Sequence, residues 1–243
     1  MVVIDASATS ERVDINSRRL VLTDKPMSSM KIRELLAHEI ETHAFRSSSG
    51  AKSSLALLSS GLRGYLGTEE GPATFYAEEA IRRGCGMEPK PKLWIGTLAC
   101  GLAAGIACSP LSFHALFSFV ESVSLLVDLL ERREVPLAQL QEKARRYAEN
   151  RCLRTYRGVT NLENKGICSN KDTYYLRGFL EVCQALERDP QIFDQLMVGA
   201  VGLQHLTDLR ELGITTPGVV HKHLATDPNL DTYIARFTGQ IAL

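Results

Sequence analysis

The chain has 243 residues, a mass of 26.8 kDa, and 28 Lys and Arg against 28 Asp and Glu, so its formal net charge at pH 7 is zero. Apolar residues make up 44% of it, a share that is typical of soluble globular proteins and excludes compositional disorder. Because nucleic-acid and membrane-surface binders usually carry an excess of basic residues, the balanced charge predicts neither as a partner. The length predicts a single domain over residues 1–243.

The N-terminal part predicts a small sheet followed by a helix. Apolar and polar residues alternate in Val2–Ile4 and in Arg12–Thr23, which is typical of strands, and Asn16-Ser17 suits a hairpin turn within the second of these segments. Ser28 then suits the N-cap of a helix whose apolar face continues to Ala44.

The rest of the chain predicts further helices. A second helix is expected from Glu69 to Arg83, with Thr68 as its cap and Gly84 as its stop. Later helices are expected over 93–108, 112–130, 136–154, 171–188, 191–198 and 203–212. A Ser-x-x-Asp capping box at Ser169–Asp172 precedes the helix that begins near 171. The prediction is a mostly helical α+β protein, with a sheet in 1–27, a helical core in 28–215 and a looser tail in 216–243.

Two features bear on the compartment. The six cysteines form no CxxC pair, and a chain of this length needs no disulfide staples, so we expect free thiols in a reducing compartment. The N-terminus shows no signal-peptide pattern.

The stretch Leu93–Val120 has no charged residue and is long enough to span a bilayer, but Pro110 and His114 interrupt it. Two buried helices are therefore favoured over a membrane span.

The chemical signal is the sequence HEIETH, which contains His38, Glu39, Glu41 and His43. Zinc proteases usually place two histidines four residues apart, one helical turn, so that both face one ion. Five residues of an ideal α-helix leave the side chains roughly 140° apart. A π-type widening, or unwinding before His43, would bring them together, so the motif predicts a distorted helix at Ile40–Thr42. The alternative is a charged helix face with two incidental histidines.

A second segment can complete a metal site. The sequence Thr68-Glu69-Glu70-Gly71 opens the second predicted helix and offers a carboxylate for a His-His-Glu set. Catalytic zinc takes three protein ligands and keeps one open position. Glu39, next to His38, would then accept the proton of the attacking water.

These motifs resemble a known family. The segments HEIETHAFRSSSG and GLRGYLGTEEGPATFYAEE are similar to the HExxxH metallopeptidases that include the microtubule-associated tyrosine carboxypeptidases and the bacterial QEGLA-motif proteins. Glu69–Ala73 corresponds to the QEGLA motif, which implies that Glu70 is the metal-binding glutamate. Two later segments, residues 154–158 and 169–176, resemble the RVFRG and FTKDxxYL segments of the family. The resemblance runs from about residue 10 to about residue 215.

The resemblance implies a zincin-like metallopeptidase core that holds Zn²⁺ through His38, His43 and Glu70. It also implies a cytoplasmic, microtubule-associated carboxypeptidase that removes a C-terminal residue, with the tyrosine of α-tubulin as the best single candidate. Family members are often longer at the N-terminus, so we expect this chain to be a catalytic core. Three features depart from the family pattern. Glu41 replaces a glycine and is expected to add charge beside the metal. Pro72 replaces a leucine, which suits a first helical turn, and Thr68-Glu69 replaces the usual lead-in of the second motif.

Substrate-binding candidates lie in the later segments. A carboxypeptidase must hold a terminal carboxylate, and Arg157 and Lys171 are the candidates; a surface charge is the alternative for each. Tyr175, or its neighbour Tyr174, is a candidate to donate a hydrogen bond to the oxyanion, with a buried structural tyrosine as the alternative. Five arginines between residues 145 and 157 could attract an acidic protein tail.

Two other functions stay open at this point. The chain could be a carboxypeptidase or endopeptidase for a different protein target. It could also be a binding module with a degenerate metal site that no longer catalyses hydrolysis.

Overall fold

The structure, a computed structural model, describes residues 1–8, 11–14, 17, 19–88, 93–106, 108–131, 135–162, 164–218, 220 and 223–237. It contains two compact units: Met1–Lys90 together with Arg177–Leu243, and Pro91–Leu176. Helices dominate, and the described strands form one small N-terminal sheet, so the mostly helical α+β prediction is confirmed. The assignment of residues 1–243 to one catalytic domain stays a prediction.

The first unit opens with the three-stranded sheet. Its strands are β1 (Val2–Ile4), β2 (Arg12–Asp14) and β3 (Arg19–Leu22), in the order β1-β3-β2. β1 runs parallel to β3, and β2 runs antiparallel to it with Val13 opposite Leu20. This antiparallel pairing confirms the predicted hairpin; Asn16 of the predicted turn lies outside the described residues.

A long helical segment follows and carries the HEIETH motif. It consists of α1 (Ser29–Leu35), a π-helix (Leu36–Ala44) and α2 (Phe45–Ala51). Its beginning confirms the predicted cap, because the Ser28 hydroxyl accepts a hydrogen bond from the Lys31 amide at 3.2 Å. A 3₁₀-helix, Ala56–Ser59, then leads toward the second motif.

The second motif lies on α3 (Leu66–Cys85), whose predicted ends are wrong. The helix begins after Tyr65 and ends at Gly86, which has φ +63°, a left-handed backbone suited to glycine. Gly84 remains inside the helix, where a Cβ would lie 2.0 Å from Nη1 of Arg33. Since α3 begins earlier than expected, Pro72 falls in its second turn and not in its first.

The remainder of the first unit comes from the C-terminal part of the chain. The elements are the later part of α7 (Lys171–Arg188), α8 (Ile192–Leu196), a 3₁₀-helix (Leu203–His205), α9 (Leu206–Glu211), a 3₁₀-helix (Leu224–Thr226) and α10 (Leu230–Phe237). Leu58, Val182, Leu196 and Val201 are fully buried in its core. The segment expected to be a loose tail therefore differs from the prediction, because it contains the helices Leu224–Thr226 and Leu230–Phe237, and Ala225 is fully buried.

The second unit contains α4 (Leu93–Ala104), α5 (Phe113–Glu131), α6 (Leu137–Thr155) and the start of α7. Its buried core includes Ile95, Ala99, Leu116, Val120, Ala148 and Cys152. The apolar stretch divides into two helices on either side of Pro110, as expected. Among the described helices, α5 has the length and apolar composition of a membrane span, and 22% of its most apolar window is buried. Asp128 on its buried face accepts a hydrogen bond from Lys143 of α6 at 2.8 Å.

Close contact between α3 and α7 generates a prediction about Gly71, the residue after Glu70. A Cβ at this position would lie 2.3 Å from the carbonyl oxygen of Gly178. We expect Gly71→Ala to lower the free energy of unfolding by about 1–3 kcal/mol, because the two backbones would have to separate. Urea denaturation with a metal chelator present measures the change.

Gly67→Ala is the matched control on the same helix, since a Cβ at Gly67 meets no atom within 4 Å. It should raise the free energy of unfolding by up to about 1 kcal/mol, because alanine loses less backbone entropy in a helix. Equal stabilities of the Gly71→Ala variant and the unmodified chain would contradict the prediction.

Candidate metal centre

The π-helix resolves the spacing problem of the two histidines. His38 and His43 both lie within Leu36–Ala44, where the i→i+5 pattern brings residues five apart onto one face. Their Nε2 atoms are 3.3 Å apart, and the ring planes meet at 75°. The predicted distortion at Ile40–Thr42 is confirmed in its π-helical form, and the unwinding alternative is wrong.

A buried side chain reinforces this helical form. The hydroxyl of Thr42, which is fully buried, donates a hydrogen bond to the carbonyl oxygen of Ala37 five residues earlier, at 2.9 Å. The next residue after the π-helix, Phe45, likewise bonds through its amide to the carbonyl of Ile40. Both contacts span five residues and so favour the wider turn over a regular α-helix.

Glu70 of α3 completes a group of three ligand atoms. Its Oε2 lies 3.4 Å from Nε2 of His38 and 3.6 Å from Nε2 of His43. With the 3.3 Å separation of the histidines, the three atoms form a nearly equilateral triangle. Ligands about 2.0–2.1 Å from a tetrahedral zinc ion would be roughly 3.3–3.4 Å apart. The spacing of these atoms therefore fits a metal ion of that size.

The surroundings of Glu70 also favour a cation. Its Oε2 is buried and has no hydrogen-bond partner among the described residues. Burial by itself would raise the pKa of Glu70, but the neighbouring imidazoles of His38 and His43 lower it overall. Burial would lower the pKa of His43, but the neighbouring carboxylates of Glu69 and Glu70 outweigh burial and raise that pKa to about 9. This cluster therefore stabilises positive charge at its centre.

Glu69 orients His43, although it was not among the site residues predicted from the sequence. Nδ1 of His43 lies 2.7 Å from Oε1 of Glu69, so the ring donates to Glu69 and directs Nε2 toward the ligand triangle. The other oxygen of Glu69 pairs with Arg46, which is fully buried. Carboxylates that hold a ligand histidine in this way are a common feature of zinc sites.

Arg46 is itself fixed by the backbone. Its Nε donates hydrogen bonds to the carbonyl oxygens of Leu196 and Gly199, at 2.9 and 3.0 Å. A signal for this network was present in the sequence: Arg46 follows His43 by three residues on one helix, and Glu69 stands beside Glu70. Its partners on 196–201 are more than a hundred residues away, so only the tertiary structure reveals them.

The two other glutamates of HEIETH make different contacts. Oε2 of Glu39 accepts a hydrogen bond from the amide of Val13 on β2, at 2.9 Å. Glu41 is buried, and its oxygens accept hydrogen bonds from the amides of Leu224 and Ala225, at 2.6 and 3.0 Å. Glu41 was expected to add negative charge beside the metal. This expectation is corrected, because two backbone amides donate hydrogen bonds to its carboxylate and so offset part of that charge.

The substrate-binding candidates lie in the second unit. Arg157 and Lys171 are exposed, and neither forms an ion pair with another residue of the described part of the chain. Tyr174 and Tyr175 are half-buried, and the guanidinium of Arg154 lies 5.6 Å from the centre of the Tyr175 ring. Their predicted roles stay predictions.

An ion pair joins the two segments that resemble the later family motifs. Asp172 is buried and pairs with Arg154 and Arg151, with one Arg154 contact at 2.6 Å. The predicted capping box is therefore wrong in part: the Ser169 hydroxyl accepts from the Lys171 amide at 3.4 Å, but the Asp172 carboxylate binds arginine. Since the negative charge of Asp172 offsets one of these two positive charges, Arg151 and Arg154 together contribute less to the predicted basic cluster.

The His43–Glu69 contact predicts the behaviour of Glu69→Gln. An amide cannot accept from both His43 and Arg46 as the carboxylate does, so the orientation of His43 is weakened. We expect zinc affinity to fall by about 10–100-fold. Competition with a chromogenic chelator measures this affinity.

Glu79→Gln is the control, because Glu79 lies on the same helix and its ion pairs within the described part of the chain are with Arg82 and Arg83. It should leave zinc affinity unchanged. Equal affinities for the Glu69→Gln variant and the unmodified chain would refute the orienting role.

Comparison with known proteins supports the resemblance seen in the sequence. A family model described as microtubule-associated tyrosine carboxypeptidase (MATCAP) matches residues 137–239. No curated protein matches the chain. The matched range includes Arg157, Lys171 and Tyr175 but not the helices that carry His38, His43 and Glu70. The match confirms the resemblance over residues 137–239, where the chain is similar to the microtubule-associated tyrosine carboxypeptidases.

Proposed function

We propose that this protein is a zinc-dependent carboxypeptidase that removes the C-terminal residue of a protein tail. The observation that carries the proposal is the triangle of His38, His43 and Glu70, with Glu69 orienting His43. The family match supports a tyrosine carboxypeptidase-like activity. Tyrosine at the end of the α-tubulin tail is the proposed substrate, and the cytoplasm, on microtubules, is the proposed location.

His38, His43 and Glu70 would hold Zn²⁺ in this proposal. When bound, the ion lowers the pKa of the attacking water and polarises the scissile carbonyl. The three side chains are 20%, 13% and 14% exposed, so the site is partly shielded but still reachable by water and substrate. A partly shielded site strengthens electrostatic interactions with the reacting groups.

Glu39 is the proposed general base. It directly follows His38 on the π-helix, and the Val13 amide fixes one oxygen of its carboxylate. The other oxygen would accept the proton of the attacking water and then deliver it to the leaving amine. The contact with β2 thus sets the direction from which Glu39 acts.

The substrate terminus needs separate recognition. We propose that Arg157 or Lys171 holds the terminal carboxylate, because both side chains are exposed and neither has a described acidic partner. Tyr175, or Tyr174, would donate a hydrogen bond to the developing oxyanion. The exposed arginines 145, 146 and 157 would attract the acidic protein tail.

Glu39→Gln tests the general base. The substitution keeps the shape of the side chain but cannot accept a proton, so we expect full zinc binding and loss of turnover. Chelator competition measures the zinc, and mass spectrometry of a tyrosine-ended acidic peptide measures the turnover. A variant that retains full activity would remove this role from Glu39.

The type of peptidase is tested with matched peptide libraries whose C-termini are free or amidated. A carboxypeptidase needs the free carboxylate, so we expect single-residue shortening of the free set and none of the amidated set. Internal cleavage of both sets would indicate an endopeptidase. Stoichiometric zinc without cleavage of either set would indicate a metal-containing binding module.

A further inference from the structure

The segment His223–Asp231, which we call the clasp, contacts both helices that carry the ligand triangle. It contains the 3₁₀-helix Leu224–Thr226 and the beginning of α10. It was expected to be loose, yet its backbone is bound by two buried charged side chains of the HEIETH helix. All of these contacts lie within the first unit.

Glu41 makes the first contact. It stands within the π-helix between the two ligand histidines and is buried. Its two oxygens accept hydrogen bonds from successive amides of the clasp, those of Leu224 and Ala225. Hydrogen bonds to an ionised carboxylate are about twice as strong as those between neutral groups. Glu41 therefore joins the centre of the π-helix to the clasp.

Arg33 makes the second contact, one turn before the π-helix. It is fully buried and donates to the carbonyl oxygens of Ala225 and Asp227 at 2.6 and 2.8 Å. It also pairs with the carboxylate of Asp231 at 3.2 Å. The absence of a side chain at Gly84 of α3 makes room for its guanidinium. The positive side chain of Arg33 thus binds carbonyl groups of the clasp, and the negative side chain of Glu41 binds amide groups of the same segment.

The clasp also contacts α3, the helix of Glu70. The hydroxyl of Tyr76 lies 3.0 Å from Nδ1 of His223. Ala225 is fully buried in a cluster with Ala37 of the π-helix and Ala77 and Ala80 of α3. Because these residues are small, the clasp packs closely against both helices and restricts their separation.

We propose that the clasp is a positioning element of the metal centre, with Glu41 as its principal positioning residue. A π-helix is rare because its wide turn is less stable than an α-helix, so contacts from outside are needed to maintain it. The clasp supplies such contacts at Glu41 and holds α3 at the same time. Closure of the clasp and metal binding are therefore coupled, and each favours the other to the same extent. This inference rests on the metal centre of the proposed function and not on peptidase activity.

Hydrogen exchange of the unmodified chain tests the coupling without any substitution. Mass spectrometry would compare peptides that cover 223–231 with Zn²⁺ present and with a chelator present. We expect zinc to slow amide exchange in the clasp as well as in the π-helix, while peptides from α6 stay unchanged. Protection of the π-helix by zinc with no change in the clasp would overturn the proposal.

Glu41→Ala tests the positioning residue. We expect zinc affinity to fall by about tenfold or more, as for other residues that support metal ligands. The absorption spectrum of the Co²⁺-substituted protein should also change, because it reports the coordination geometry. Glu41→Gln, which retains one acceptor oxygen, should restore part of the affinity. Unmodified affinity and spectrum in folded Glu41→Ala would overturn the proposal.

Glu34→Gln is the matched control, since Glu34 lies on the same helical segment but is exposed and pairs with Lys31. It should change neither affinity nor spectrum. Should Glu41→Ala not fold, Asp231→Ala is the second variant, because it removes only the half-exposed partner of Arg33. We expect it to lower zinc affinity and to increase exchange in the clasp; no change in either would overturn the proposal.

The outcomes separate this inference from the proposed function. A chain that binds zinc and protects its clasp, but hydrolyses no peptide, supports the inference and refutes the carboxypeptidase. A chain that hydrolyses peptides with no link between zinc and clasp refutes only the inference. A chain that binds no zinc refutes both.

Discussion

The candidate metal centre depends on one helical constraint: residues five apart must face the same point. A regular α-helix does not allow this for His38 and His43, whereas the π-helix Leu36–Ala44 does. The hydrogen bond from the Thr42 hydroxyl to the Ala37 carbonyl also favours this wider turn, because it joins residues five apart. Only with this wider turn do both imidazoles lie within 3.6 Å of the same Glu70 oxygen.

Charge balance is the second organising feature of the centre. Glu69 and Glu70 are adjacent carboxylates on α3, and both are largely withdrawn from water. Arg46 neutralises Glu69, and Glu69 in turn orients His43. Glu70 is left with an unsatisfied buried oxygen that faces two imidazoles. A divalent cation at this position would satisfy that oxygen and both imidazoles at once, because buried charge is stable only when it is paired.

Buried charges also connect the centre to distant parts of the chain. Arg46 binds backbone carbonyls near residue 199, and Arg33 and Glu41 bind the backbone near residue 225. A side chain that binds backbone groups requires no particular residue type at the partner position. Such partners leave no pattern in the sequence, although they determine where the helix lies.

The sequence by itself determined the helical class, the capped beginning at Ser28, the need for a distorted helix, and the two candidate ligand histidines, because these follow from local periodicity and spacing. The choice of Glu70 as the third candidate ligand came from the resemblance to a known family. It misplaced both ends of α3, and Gly84, which was predicted to end the helix, lies inside it and leaves the space that the Arg33 guanidinium occupies. It assigned Asp172 to a cap because pairing with Arg151 and Arg154 depends on helix packing. The tertiary structure alone decided that Glu69 orients His43, that Glu41 binds amides near residue 225, and that the C-terminal segment packs on both ligand-bearing helices. These contacts join residues far apart in the chain, and no local pattern encodes them.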